Sequence, residues 1–278
     1  MKINIQIKEY IMDISGKVFV ITGGGNGIAR ELVLELLAKG ATVAAVDLST
    51  EGLKETAKLA GKDAKLSTHV INITDRAKVM ALPKAVITKH GQVDALVNVA
   101  GIIQPFVKVN DLEFDAIERV INVNLYGTIN TVKAFLPELL KRPEGYIANV
   151  SSMGGYAPVP GQTIYGATKA AVKLLTEGLH SELKGTNVHV TAIYPGAIET
   201  NIAQNSGMEI PAGTDVHEAN KFKMTSVNVA ASTIIGAIEK NAYKVFIGSD
   251  AKTMDKLTRL MPEKAAELIY KQMKSLLG

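Results

Sequence analysis

Tyr165 and Lys169 stand four residues apart in the run Tyr165-Gly166-Ala167-Thr168-Lys169. On a helix, residues at that spacing share one face. An ammonium beside a phenol stabilises the phenolate and draws its pKa from about 10 toward neutrality. Such a tyrosine can pass a proton to or from a substrate oxygen. A Tyr and a Lys at this spacing also arise by chance on exposed helices, so a third feature is needed. Ser151 and Ser152 supply it. They follow an apolar strand, Tyr146 to Val150, and ligands of open α/β sheets bind beyond the carboxyl ends of strands.

A second constellation, Thr22-Gly23-Gly24-Gly25-Asn26-Gly27-Ile28-Ala29, follows the first apolar strand. Glycines are required where a strand turns sharply into a helix and backbone must approach a pyrophosphate. The helix that follows offers the anion its free N–H groups and positive dipole end. The bland alternative is a glycine-rich turn with no ligand, but strand, cluster and helix come in the order a phosphate site needs. Asp47 ends the second strand, twenty positions after Gly27. An acidic side chain there accepts hydrogen bonds from the adenosine ribose hydroxyls; the alternative is that Asp47 only caps the next helix or turn, as Ser49 could too.

These residues need a frame, and the hydrophobic pattern describes one. Strands are expected at Lys17–Ile21, Thr42–Val46, Lys65–Ile71, Val93–Val97, Tyr146–Val150, Val188–Ile193 and Lys244–Ile247. Helices are expected at Asn26–Lys39, Thr50–Leu59, Asp75–Lys89, Phe114–Lys141 and Thr163–Leu183. Strands separated by helices of this length pair in parallel through crossovers. Runs such as VFVI and TVAAV are apolar at consecutive positions, as in a sheet covered on both faces. The expectation is a doubly wound α/β domain, a mostly parallel sheet of about seven strands with helices on both faces, spanning 1–278 as one domain. A short leader (1–16) can be an added strand, through Ile3, Ile5 and Ile7, or loose chain. An irregular insertion (199–226) reads as a substrate lid. The tail (250–278) repeats Leu257, Leu260, Met261, Ala265, Leu268, Ile269 and Met273 at helical spacing, and could cover the domain, a neighbouring subunit or the lid.

Composition narrows the classes further. Of 278 residues, 47% are apolar, too many for a disordered chain. Lys and Arg number 31 against 27 Asp and Glu. That excess of +4 is spread without a basic run, so no nucleic-acid partner is expected. No stretch of about 18 uncharged apolar residues exists, so no membrane-spanning helix is expected, and no signal peptide is visible. The absence of cysteine excludes disulfides and thiolate chemistry and fits a cytoplasmic setting. The histidines at 69, 90, 180, 189 and 217 show no ligand spacing, so no metal site is expected.

TGGGNGIA resembles the TGxxxGxG motif of the short-chain dehydrogenase/reductase family, single-domain Rossmann oxidoreductases. Ala29 stands where the third glycine usually lies. Asn98-Val99-Ala100-Gly101 resembles the family's NNAG, with Val99 in place of an asparagine. Asn124 matches its helix asparagine, Tyr165 to Lys169 its YxxxK, and Pro195-Gly196 with Thr200 its PG motif. The serine-to-tyrosine spacing of the family selects Ser152 over Ser151. The resemblance runs in order from residue 22 to about 200. It implies four catalytic roles: Tyr165 as acid/base, Lys169 holding the nicotinamide ribose and biasing Tyr165, Ser152 bonding the substrate oxygen, and Asn124 holding a relay water. It implies a cofactor site built from Gly23, Gly25, Asn26, Gly27, Ile28, Asp47, Leu48, Asn72, Ile73, Asn98, Ala100, Gly101, Tyr165, Lys169, Pro195, Gly196, Ile198 and Thr200. Asn72 stands where the family usually has an aspartate near the adenine.

NAD is expected over NADP. Asp47 would face the extra phosphate as a like charge, and the positions where NADP enzymes of the family often place a base hold Asn26 and Leu48. Arg30 is the nearest competing cation. Ile102, Ile103, Met153, Tyr156 and Ile198 are expected around the substrate, which suggests a medium-sized apolar alcohol or ketone. Asn149, beside the serines, is expected to support loop structure. The resemblance also implies a homodimer or homotetramer through the helices Phe114–Lys141 and Thr163–Leu183. Two other functions stay open: an NADP-dependent carbonyl reductase, and a non-catalytic nucleotide-binding Rossmann protein.

Overall fold

The computed structural model describes residues 12–200, 202–207 and 224–277. Seven strands form one sheet: β1 (Val18–Thr22), β2 (Thr42–Asp47), β3 (Leu66–Val70), β4 (Ala95–Asn98), β5 (Gly145–Val150), β6 (Val188–Pro195) and β7 (Lys244–Ile247). Their order is β3-β2-β1-β4-β5-β6-β7 and every pairing is parallel. The chain crosses back over β1 to reach β4, and this reversal opens a crevice at the strands' carboxyl ends. The helices are α1 (Gly27–Ala38), α2 (Thr50–Ala60), α3 (Arg76–His90), α4 (Phe114–Ile121), α5 (Gly127–Leu139), α6 (Thr163–Glu182), the single turn α7 (Ile202–Asn205), α8 (Val227–Glu239), α9 (Ser249–Leu260) and α10 (Pro262–Met273).

Strand alternation divides the interior into two cores. Phe19 and Ile21 of β1 pack with Leu32, Val33 and Leu36 of α1 and with Ile234 and Ile238 of α8. Val18 and Val20 pack with Val79 and Val86 of α3, Phe135 of α5 and Leu179 of α6. Burial on both faces is why these strands read as continuous apolar runs.

Four sequence expectations are refined. The single helix expected over Phe114–Lys141 is broken: α4 and α5 are joined by a π turn at Asn122–Tyr126, and α5 stops at Leu139. A π turn adds one residue without Gly or Pro, so the apolar pattern runs through it unmarked. Of the leader, Met12 and Ile14 are buried in the α1–α8 core, while Ile3 to Ile7 lie outside the described residues. The expected lid likewise lies mostly outside them, though its ends are seen in α7 and in a parallel bridge between Ile198 and Thr225. The tail covers its own domain: Met254 and Ile269 pack on Ala157, with Met153 and Tyr156 alongside. Leu260 and Met261 stay exposed. Among the described residues, no helix is long and apolar enough to cross a membrane.

Candidate active site

A cleft of about 810 Å³ opens at the crevice, within the size range of small-molecule sites. Of the residues expected at a cofactor, Gly23, Gly25, Asn26, Gly27, Ile28, Asp47, Leu48, Asn72, Ile73, Ala100, Gly101 and Thr200 line it. Asn26 caps α1, its Oδ1 accepting from the Gly27 N–H at 2.7 Å, and its amide donates to Asn205 Oδ1 at 3.1 Å. Gly23 has φ +79°, and a Cβ there would stand 3.1 Å from the Ala100 backbone. Only glycine gives both that turn and that approach.

Asp47 Oδ2 accepts from the Gly25 N–H at 2.9 Å and its Oδ1 from the Ser49 N–H at 2.8 Å. Capping of α2 falls to Ser49, whose Oγ accepts from the Gly52 N–H at 2.9 Å. Asp47 therefore braces the glycine loop and closes the turn into α2. Arg30 also reaches the cleft, held there by neutral groups: Nε donates to Thr56 Oγ1 at 3.0 Å, and Nη2 donates to the carbonyls of Gly25 and Gly52. Asn72 Oδ1 accepts from the N–H and hydroxyl of Thr74.

The remaining expected cofactor residues stand elsewhere. Asn98 does not line the cleft. It is buried, its Oδ1 accepting from Thr131 and its amide donating to Asn149, because the polar ends of β4 and β5 satisfy one another inside the core. Asn149, expected to support a loop, lies instead within β5 and completes this core network by donating to Thr176 of α6. Pro195, Gly196 and Ile198 lie in the turn after β6, outside the cleft lining. Sequence reasoning missed what holds that turn. Asp250, buried in the first turn of α9, accepts from the Ala197 N–H at 2.7 Å. Its carboxylate fills the space a Gly196 side chain would need: an added Cβ would lie 2.2 Å from Oδ2. Ile202 and Asn205, expected only as part of the substrate lid, also line the cleft.

Tyr165 and Lys169 stand just beyond the cleft, behind Gly101. A Cβ on Gly101 would lie 3.1 Å from Lys169 Nζ and 3.2 Å from Asn124 Oδ1. Ser152 hydrogen-bonds the Tyr165 side chain and caps the short turn Met153–Gly155. Ser151 is instead buried and donates to the Lys169 carbonyl at 2.7 Å, so the two serines divide into one facing Tyr165 and one holding α6. Lys169 Nζ lies 5.9 Å from the Tyr165 ring centre and donates to the Val150 carbonyl at 3.0 Å. Burial lowers the Lys169 pKa to about 8. The expected drop of the Tyr165 pKa is not found in this state. Desolvation pushes the phenol up, and the Ser152 hydrogen bond opposes that rise.

Asn124 sits in the π turn with both polar atoms engaged: Oδ1 accepts from the Ile102 N–H, and Nδ2 donates to the Ile102 carbonyl and to Thr168 Oγ1. Ile103 is held by Ser206 Oγ. Tyr156, expected beside the substrate, is turned onto the tail. Its hydroxyl donates to the Ala251 carbonyl and its ring meets Tyr194 and Phe246 edge-on. Among the described residues no three His, Asp or Glu side chains gather as a metal site.

Residues 17–210 match the family described as short chain dehydrogenase. The chain is 37% identical over 262 residues to SadH, an oxidoreductase by name, of Mycobacterium tuberculosis, covering 91% of this chain and 94% of that protein. The fold is similar to that of 3-ketoacyl-(acyl-carrier-protein) reductase from Brucella melitensis complexed with NADH (TM-score 0.76, 26% identity, 84% and 97% of the two chains). It is equally similar to that of a short chain dehydrogenase from Burkholderia cenocepacia in complex with NADP (TM-score 0.77, 26% identity, 93% and 99%). The chain belongs to the short-chain dehydrogenase/reductase family. It is an oxidoreductase of that family, which interconverts CH–OH and keto groups with a nicotinamide cofactor.

Proposed function

We propose that the protein oxidises a medium-sized, apolar secondary alcohol with NAD, or reduces the corresponding ketone, and that Tyr165 is the acid/base. The observation that carries this reading is the bond between Ser152 and Tyr165, with the buried Lys169 beside it, at the end of the dinucleotide-sized cleft. The lining fits a dinucleotide. It has glycines where backbone must approach, a helix N-terminus for the pyrophosphate and a carboxylate at the end of β2.

A nicotinamide held in this cleft would accept the hydride in oxidation and return it in reduction. In the oxidation direction Tyr165 takes the hydroxyl proton as the substrate's C–H hydride departs, and in reduction it returns that proton. Ser152 orients the substrate oxygen. Lys169 holds the nicotinamide ribose and, when charged, stabilises the Tyr165 phenolate. Asn124 holds a water between Lys169 and solvent, while its side chain fixes Ile102 at the wall of the site.

The NAD preference rests on Asp47, a like charge to the phosphate of NADP, and on the hydrogen bonds that hold Arg30 Nε and Nη2 against the glycine loop and α2. Arg30 is also what favours the second reading, an NADP-dependent carbonyl reductase, because it borders the cleft. A non-catalytic nucleotide binder would not need Asn124, Ser152, Tyr165 and Lys169 together. The apolar substrate rests on Ile102, Ile103, Met153 and Ile198. A cytoplasmic homodimer or homotetramer, through the helices that expose Phe114 and Leu174, completes the reading. A panel of secondary alcohols and ketones, followed by absorbance of the reduced nicotinamide with each cofactor, tests it. Turnover of aliphatic or alicyclic members is expected, and activity confined to sugars would contradict the substrate class.

A further inference from the structure

The N-terminus of α6 carries Tyr165, yet its own cap residue does not cap it. Gln162 precedes the helix, and its side chain makes no capping bond. Its Oε1 is buried without a hydrogen-bond partner. The Tyr165 N–H, in the helix's first turn, is taken by a residue 61 positions away: Gln104 Oε1 accepts it at 2.9 Å. The other half of the same amide donates to the Gly161 carbonyl at 3.0 Å, and the Gln104 carbonyl accepts from Gln162 Nε2 at 2.7 Å. Gln104 has no exposed surface. A buried glutamine on the loop after β4 thus makes three hydrogen bonds to one five-residue stretch, Gly161 to Tyr165.

We propose that Gln104 is a positioning residue: it caps α6 from outside the helix and thereby sets Tyr165 against Ser152. This rests on the reading of Tyr165 as acid/base. The segment Gly101–Gln104 acts as a strap across the site. Gly101 abuts Lys169 and Asn124, Ile102 is bonded twice to Asn124, Ile103 is bonded to Ser206, and Gln104 ends the strap on α6. Buried polar groups whose partners are removed cost more than the bond is worth when made, so the first turn of α6 must shift to recover them. Tyr165 lies in that turn, and a small misplacement of a reacting group lowers rate steeply.

The test compares Gln104→Met, which keeps shape but removes the amide, with Gln104→Asn, which keeps the amide and withdraws it by one methylene. Both are assayed on the best panel substrate of the parent enzyme, with NAD affinity measured separately by fluorescence titration. The expected result is a fall in kcat of at least about tenfold in each, NAD affinity within twofold of the parent, and a pH limb of kcat moved to higher pH. A readout independent of turnover uses protein labelled with 3-fluorotyrosine, in which the Tyr165 resonance is assigned by its loss in Tyr165→Phe. That resonance is expected to shift and to titrate at higher pH in Gln104→Met. Should Gln104→Met not fold, Gln104→Asn decides by the same measurements. Variants that lose thermal stability but keep the parent's kcat, pH limb and Tyr165 resonance would overturn the proposal. A parent inactive on every panel member would overturn the proposed reaction instead, and the fluorine titration would still decide the role of Gln104.

Discussion

Asp47 Oδ2 accepts the N–H of Gly25 at 2.9 Å, so the carboxylate that ends β2 also holds the loop that follows β1. One side chain thus fixes the shape of the glycine loop and, in the proposed cofactor site, the charge beside the adenosine ribose. A phosphate on that ribose would meet the carboxylate in a partly desolvated site, with the nearest guanidinium engaged by Gly25, Gly52 and Thr56. We predict a kcat/KM for NAD at least about tenfold above that for NADP, roughly 1.4 kcal/mol. Asp47→Ala should shrink this ratio and also weaken NAD binding, because the Gly25 N–H loses its acceptor. Steady-state kinetics with both cofactors measure it, and equal values for the parent would mean that Arg30 outweighs Asp47.

The pH dependence follows from the Ser152–Tyr165 bond. Alcohol oxidation needs Tyr165 as phenolate, so its rate rises with pH through the Tyr165 pKa; ketone reduction needs the phenol and falls over the same range. Burial raises this pKa and the Ser152 bond lowers it. Ser152→Ala removes the lowering contribution, so the rising limb of oxidation should move to higher pH. Loss of the donor to the substrate oxygen should also lower kcat by about a hundredfold. A pH–rate profile of Ser152→Ala with its limb unmoved or moved downward would contradict the assignment.

The turn after β6 makes a stability prediction. A methyl on Gly196 would overlap the Asp250 carboxylate and break its bond to the Ala197 N–H. Gly196→Ala should cost about 1–3 kcal/mol through overpacking, read as a lower denaturant midpoint. If the turn holds the nicotinamide, as the family resemblance implies, the KM for NAD should rise as well. Asp250→Asn, which keeps an acceptor for Ala197, should be milder than Asp250→Ala.

What could be read from the sequence follows from the range of the interactions. The strands were legible because burial on both faces leaves apolar runs such as Val18 to Ile21. The glycine loop and the Tyr165–Lys169 pair were legible because their chemistry needs local spacing. Asn124 was located by its motif, whereas the π turn around it left no mark in the apolar pattern. Asp250 and Gln104 were not legible. Each acts on a backbone N–H more than 50 positions away, at Ala197 and Tyr165, and an isolated Asp or Gln carries no pattern. The contacts of Asn98 and Tyr156 were not legible for a related reason: those that turn Asn98 into the core and Tyr156 onto the tail come from distant elements.

The central claim, that Tyr165 moves the proton, is tested most directly by Tyr165→Phe. The ring is kept, the hydroxyl bonded to Ser152 is removed, and the glycine loop and Asp47 are untouched. The measurement pairs NAD affinity, by fluorescence titration, with kcat on the best alcohol of the panel. The account predicts affinity within about threefold of the parent and a kcat lower by about 10²–10⁴-fold, the contribution of a general acid or base. A Tyr165→Phe protein that turns over at a rate comparable to the parent's would contradict it.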